Sequence, residues 1–189
     1  KSFGDNHVLG HISLDMKRGE KLAILGPSGI GKTTLLRLVA GLDKRLVGSI
    51  TQPERISMVF QEPVLLPWRS AIDNIIIATG ADRQAAEDHL TAVGLAGRGS
   101  EFPSNFSLGQ QRRLSLARAL AARPDLLILD EPFASLDEKT SDMMIGLAGK
   151  LIRESNVTTL FVTHSRSEAD RLVDRAMLLD GSPATLRSA

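Results

Sequence analysis

Short apolar runs separated by amphipathic stretches set the pattern of this chain. Leu22-Ala23-Ile24-Leu25, Leu126-Leu127-Ile128-Leu129, the TTLFVT segment at 158–163 and the segment at 176–179 are each too short for a typical helix. They also lack a sustained alternation of apolar with polar residues, so they predict strands buried on both faces. Helical spacing covers 32–40 with a stop at Gly41, 71–78, and 83–93 with a stop at Gly94. It returns over 108–122, closed by Pro124, and over 139–154 and 167–172. Residues 50–60 predict one or two further strands, Pro63 and Pro67 mark irregular backbone over 61–69, and 97–107 reads as loop. Strands alternating with helices predict an α/β domain whose mainly parallel sheet is flanked by helices.

Composition narrows the partners. The 189 residues suit a single domain, and 23 basic against 22 acidic side chains leave a net charge of +1. So even a balance predicts no broad attraction to a nucleic-acid backbone or an anionic membrane surface, and no nucleic-acid partner is expected. The absence of cysteine excludes a disulfide scaffold and a thiolate metal site. No run reaches the ~18 apolar residues of a membrane helix. If the protein works at a membrane, another chain must cross it.

Gly26-Pro27-Ser28-Gly29-Ile30-Gly31-Lys32-Thr33 fits G-x-x-x-x-G-K-[ST] at every position. A predicted strand precedes it and a predicted helix follows. The glycines allow a tight turn whose N–H groups point inward, and the helix adds the positive end of its dipole. Lys32 is expected to reach the β- and γ-phosphates and Thr33 to offer an oxygen to Mg²⁺. A dinucleotide fold is the poorer rival, because the Lys-Thr pair suits a triphosphate with its metal.

Asp130 and Glu131 follow an apolar strand directly, at the strand end where open α/β sheets bind ligands. Asp130 is the candidate metal ligand. Glu131 is the candidate general base for a water aimed at the γ-phosphorus. Alone the pair would read as a solvated turn; with the phosphate loop in the same chain it reads as a hydrolysis site.

Phe106-Ser107-Leu108-Gly109-Gln110-Gln111-Arg112-Arg113 completes the set. Together the three motifs resemble the ATP-binding-cassette (ABC) ATPases over nearly the whole chain. The resemblance implies a P-loop NTPase core, a shortened antiparallel β subdomain over the brief 41–61 stretch, and a helical subdomain at about 69–122 within a single domain, 1–189. It implies ATP and Mg²⁺ as cofactors, and a homodimer in which Ser107, Gly109 and Gln110 bind the γ-phosphate held by the other copy. It further implies that Gln61 senses the metal and the attacking water, and that Asp137 lies in a loop crossing the dimer interface. His164 is similar in position to a switch histidine on the γ-phosphate, Phe3 to an aromatic stacked on adenine, and Thr34 to an α-phosphate contact. Physical chemistry alone leaves other roles open, with Ser107 as a plain helix cap and Phe3 as a packing residue.

The signature departs from the family pattern at Leu108, which stands where a first glycine is usual and adds bulk near the docking nucleotide. Ending at Ala189, the sequence is expected to carry no C-terminal regulatory domain. Gln61-Glu62-Pro63-Val64-Leu65-Leu66-Pro67-Trp68-Arg69 is similar to a stretch in importer ATPases for nitrate, sulfonate and taurine. That similarity implies a transmembrane permease partner, an extracytoplasmic solute-binding protein, and a peripheral position on the cytoplasmic face of the membrane. Trp68 reads as a docking residue for the permease or as an anchor of the helical subdomain. An exporter or lipoprotein-release ATPase, a non-transport ABC ATPase and a small-molecule kinase are the rival readings.

Overall fold

The computed structural model describes residues 2–3 and 6–189, with side chains from Val8 onward. A two-residue ladder opens the chain, β1 (Ser2–Phe3) against β2 (Asn6–His7), antiparallel and separate from the main sheet. The main elements follow as β3 (Lys21–Leu25), α1 (Lys32–Val39), β4 (Ile56–Val59), α2 (Ala71–Thr79), α3 (Arg83–Ala92) and α4 (Leu108–Ala121). Next come β5 (Leu126–Asp130), α5 (Glu138–Ser155), β6 (Thr158–Thr163), α6 (Arg166–Leu172), β7 (Arg175–Gly181) and β8 (Ala184–Ser188).

The six-stranded sheet has the order β4-β5-β6-β3-β7-β8. All neighbours run parallel except β8, which returns antiparallel along β7. Each apolar run divides its side chains between two cores. Ala23, Leu25, Leu127, Leu129 and Phe161 face α5 and α6, whereas Leu22, Ile24, Ile128, Leu160 and Val162 face α1. That division is why the runs lack polar positions: neither face of the sheet meets water. Each fully buried Leu or Ile adds about 1.5–3 kcal/mol relative to an exposed one.

Helices α2, α3 and α4 pack around a third core that includes Ile72, Ile75, Leu90 and Leu114. Their ends are written locally. The Ser70 hydroxyl accepts the Asp73 N–H, Asp82 accepts that of Ala85, and Gly80 closes α2 at φ 69°. Asn156 closes α5 at φ 48°, a left-handed conformation asparagine tolerates better than most residues.

Residues 50–60 hold one strand, β4, and the preceding stretch is irregular. The expected antiparallel ladder over 41–61 is not formed among the described residues; the short antiparallel pair β1–β2 lies near the chain start instead. Strand β8 is absent from the sequence reading. Its signal is weak: five residues after a Ser182-Pro183 turn, with only Ala184 buried.

Candidate active site

The parallel register gathers the candidate residues at one edge of the sheet. Leu25 pairs with Thr163, Val59 with Leu129, and Asp130 with Val162. The phosphate loop, Gln61, Asp130-Glu131 and His164 therefore all leave the carboxyl ends of adjacent strands.

The loop from Gly26 to Thr34 bends back into α1 through Gly31 at φ 110°. A β-carbon there would lie 2.9 Å from Leu9 and Val8 side-chain atoms, so only glycine fits. At Gly26 a β-carbon would meet the Leu179 carbonyl oxygen at 2.8 Å. No side chain caps α1, which leaves its first N–H groups, Thr33 and Thr34 among them, to an incoming anion. Pro27, Ser28 and Gly29 are the exposed rim of the loop, and Ile30 packs against the core on the α1 side of the sheet.

Lys32 is 4% exposed, and its Nζ donates to the carbonyls of Gly26 and Pro27, both at 2.9 Å. The same Nζ lies 3.0 Å from Glu131 Oε1. Glu131 Oε2 is 3.3 Å from His164 Nδ1, so one carboxylate bridges the loop lysine and the histidine after β6. Thr33 Oγ1 donates to Asp130 Oδ1 at 3.2 Å. Burial pushes the Asp130 carboxyl above its ordinary pKa, opposed by the Thr33 hydrogen bond and raised further by neighbouring Glu131. Two oxygens of this kind, one from a hydroxyl and one from a buried carboxylate, fit a hard divalent cation such as Mg²⁺. Among the described residues no group of three or more His, Cys, Asp or Glu could hold a metal unaided.

Gln61 lies exposed two residues beyond Val59 on the same edge, and no hydrogen bond ties it to Thr33 or Asp130. The side chain of Phe3 lies outside the described residues. Ser107, Gly109 and Gln110 begin α4. Ser107 Oγ accepts the Gln110 N–H at 3.3 Å while Gln110 Oε1 accepts the Ser107 N–H at 2.9 Å, a reciprocal capping box. Gly109 is buried against α5, where a β-carbon would lie 2.9 Å from Thr140 Cγ2. Leu108 projects outward with 41% exposure. Asp137 caps α5 by accepting the Thr140 N–H at 3.0 Å, and the Thr140 side chain, followed by that backbone contact, lowers its pKa.

Trp68 is 69% exposed, so it does not anchor the helical layer; Asn74 does that work. Wholly buried, Asn74 accepts the Leu66 N–H and donates to the carbonyls of Leu66, Arg69 and Ser70. Ser115 and Arg118 of α4 hold the Pro63 and Val64 carbonyls. Two further residues escaped the sequence reading. Glu168 accepts from the Thr163 hydroxyl at 2.5 Å, and that hydroxyl in turn accepts the Ser165 N–H at 3.0 Å, bracketing His164. Arg112 reaches the Pro132 carbonyl from α4. Neither stands out in sequence, since one resembles a helix-start glutamate and the other part of a surface Arg-Arg pair.

Known proteins resemble this chain over most of its length. The ABC transporter family model covers residues 9–134. The chain is 46% identical over 186 residues to the aliphatic sulfonates import ATP-binding protein SsuB 2 of Rhodococcus jostii, covering 95% of this chain and 75% of that protein. It is 45% identical over 181 residues to SsuB 3 of Paraburkholderia xenovorans, covering 95% and 73%. Among solved structures, the ATP-binding cassette MJ0796 in a dimeric post-hydrolysis state with ADP and Pi superposes with a TM-score of 0.81 at 28% identity, covering 100% of this chain and 94% of that one. A putative metal-chelate type ABC transporter in an inward-facing conformation gives 0.81 at 28% identity, covering 93% and 75%. With a phosphate loop, a buried metal-type carboxylate and a bridging glutamate on one sheet edge, the chain belongs to the ABC transporter family as an ATP-binding, ATP-hydrolysing subunit.

Proposed function

We propose that this chain powers a membrane importer for a small sulfonate-like solute, working as a homodimer with an ATP at each of two shared sites. The observation that carries the catalytic part is the Glu131 carboxylate, held at 3.0 Å from Lys32 and 3.3 Å from His164 beside the Thr33–Asp130 pair. Residues 26–34 wrap the phosphates, Lys32 follows the β- and γ-phosphates, and Phe3 stacks on the adenine. Thr33, Asp130 and Gln61 hold Mg²⁺, which neutralises phosphate charge when bound. Glu131 takes a proton from the attacking water, and His164 orients that carboxylate and contacts the γ-phosphate.

The second copy supplies Ser107, Gly109 and Gln110 to the γ-phosphate, with Asp137 near the shared interface. The MJ0796 cassette, dimeric with ADP and Pi, supports pairing of this kind. Residues 69–122 form the helical arm that carries those groups. Exposed Val64 and Trp68, on a segment braced by Asn74 and Arg118, form the surface offered to the permease. The aliphatic-sulfonate import relatives support the solute class; the importer reading adds a solute-binding protein outside the membrane and sets this subunit on its cytoplasmic face. No described helix is long and apolar enough to cross a membrane.

Glu131→Gln tests the central assignment. Nucleotide binding should persist, turnover should drop by about 10²-fold or more, and the dimer should stay closed on ATP. Steady-state hydrolysis near the unmutated rate would remove Glu131 from the base role.

A further inference from the structure

Arg112 lies one turn inside α4, with only 5% of its surface exposed. Its Nη1 donates to the Pro132 carbonyl at 2.8 Å, while Nε has no hydrogen-bond partner among the described residues. No described carboxylate pairs with this guanidinium, and burial alone depresses its pKa. Its surroundings are otherwise apolar: Leu116, Leu129, Phe133 and Met144 line a cavity of about 10 Å³ beside it, space for at most one water. Packing does not call for a guanidinium at this place. A methionine of similar length would fill it without the cost of burying an unpaired charge.

What the guanidinium does hold is the carbonyl next to Glu131. Glu131 has φ 43°, in the left-handed region that disfavours a residue with a β-carbon. Its N–H donates to the Val162 carbonyl at 3.0 Å and its carbonyl accepts from Ala134 N–H at 3.2 Å. Phe133 is fixed edge-on against Phe161, with ring centroids 5.8 Å apart. The Arg112–Pro132 contact is the side-chain restraint on this strained turn that comes from α4, the helix whose first residues face the other copy's nucleotide in the function proposed above.

We propose that Arg112 is a positioning residue that pins the Pro132 carbonyl, and so the Glu131 carboxylate, to the helix bearing Ser107–Gln110. One side chain thereby ties a chain's own hydrolytic glutamate to the ATP it serves in its partner. The inference rests on Glu131 being the general base. It predicts that the two sites of a dimer sense each other through α4 and not only through the shared interface.

The test compares Arg112→Met, Arg112→Lys and Glu131→Gln in the full chain, measuring kcat, KM, the Hill coefficient for ATP, nucleotide affinity and the thermal midpoint. Arg112→Met should keep or raise the midpoint, hold nucleotide affinity within about twofold, lower kcat on the order of tenfold and bring the Hill coefficient toward one. Arg112→Lys, which retains a donor, should recover part of kcat. Unchanged kcat and cooperativity in Arg112→Met, with Glu131→Gln inactive, would overturn the inference and leave the base assignment standing. Parallel loss of midpoint and kcat in both arginine variants would reduce Arg112 to a structural residue. An active Glu131→Gln would remove the base assignment and this inference with it.

Discussion

In the proposed function the sheet edge and the start of α4 both offer polar groups to a nucleotide, yet they are built in opposite ways. At the edge, Lys32 and Asp130 are buried and bonded across long sequence separations, with Lys32 reaching Glu131 and Thr33 reaching Asp130. At α4, Ser107 and Gln110 satisfy each other within one turn, and Leu108 stands in solvent. The edge is a closed assembly that responds as a unit; the helix start is locally complete and turned outward. In the proposed dimer the edge binds phosphate within one chain and the helix start of the second copy completes the site. In the reciprocal cap both side-chain oxygens accept, so the Ser107 O–H and the Gln110 Nε2 donors stay available to an incoming phosphate.

Perturbing the edge should produce the largest effects. Lys32→Ala should abolish measurable ATP binding, a loss of at least about 10²-fold checked by titration with a fluorescent nucleotide, because in the proposed function the lysine is the cationic contact to the phosphates. Asp130→Asn should cost a similar factor in turnover while raising the thermal midpoint of the nucleotide-free chain. The sign follows from the raised pKa: burial penalises the Asp130 charge, and that penalty is fully present at neutral pH. As pH falls through the raised value, this group's contribution to the stability of the nucleotide-free chain improves. The midpoint gap between Asp130→Asn and the unmutated nucleotide-free chain should therefore narrow as pH falls through the raised value, and a gap independent of pH would contradict a penalised buried charge.

Perturbing the helix start should be milder in the single chain and visible mainly in pairing. Ser107→Ala removes a cap worth about 1 kcal/mol and should lower the midpoint by a few degrees. Its ATP-dependent dimerisation, read by analytical ultracentrifugation, should fall far more than that stability loss explains. Leu108→Gly should speed hydrolysis or tighten pairing by a few-fold, by clearing bulk from an exposed position. Trp68→Ala should be smallest of all in isolation, leaving the chain's ATPase rate and midpoint nearly unchanged and weakening only uptake in the assembled importer.

The same contrast explains what could be read in advance. Leu22–Leu25 and Leu126–Leu129 announce themselves because both faces of the sheet are dry, and the loop glycines because backbone geometry admits nothing else at Gly31. Local caps such as Ser70 and Asp82 lie next to the helices they start. Strand β8 was illegible because it is an edge strand with a single buried side chain. Arg112 and Glu168 were illegible for another reason: their partners, Pro132 and Thr163, lie on other elements, and nothing in local spacing marks a long-range restraint. Gly109 shows a limit of motif reading, since its lack of a side chain is already required by Thr140 of α5.

Mixing two inactive variants tests the divided site most directly. Lys32→Ala disables a chain's own phosphate loop, and Ser107→Arg disables what it offers its partner, so each homodimer should be inactive. A mixed dimer regains one intact site, formed by the Lys32 loop of one copy and the Ser107 surface of the other. Random pairing should return up to about a quarter of the unmutated rate per chain. No recovery, with mixed dimers shown to form, would contradict a site shared between two copies.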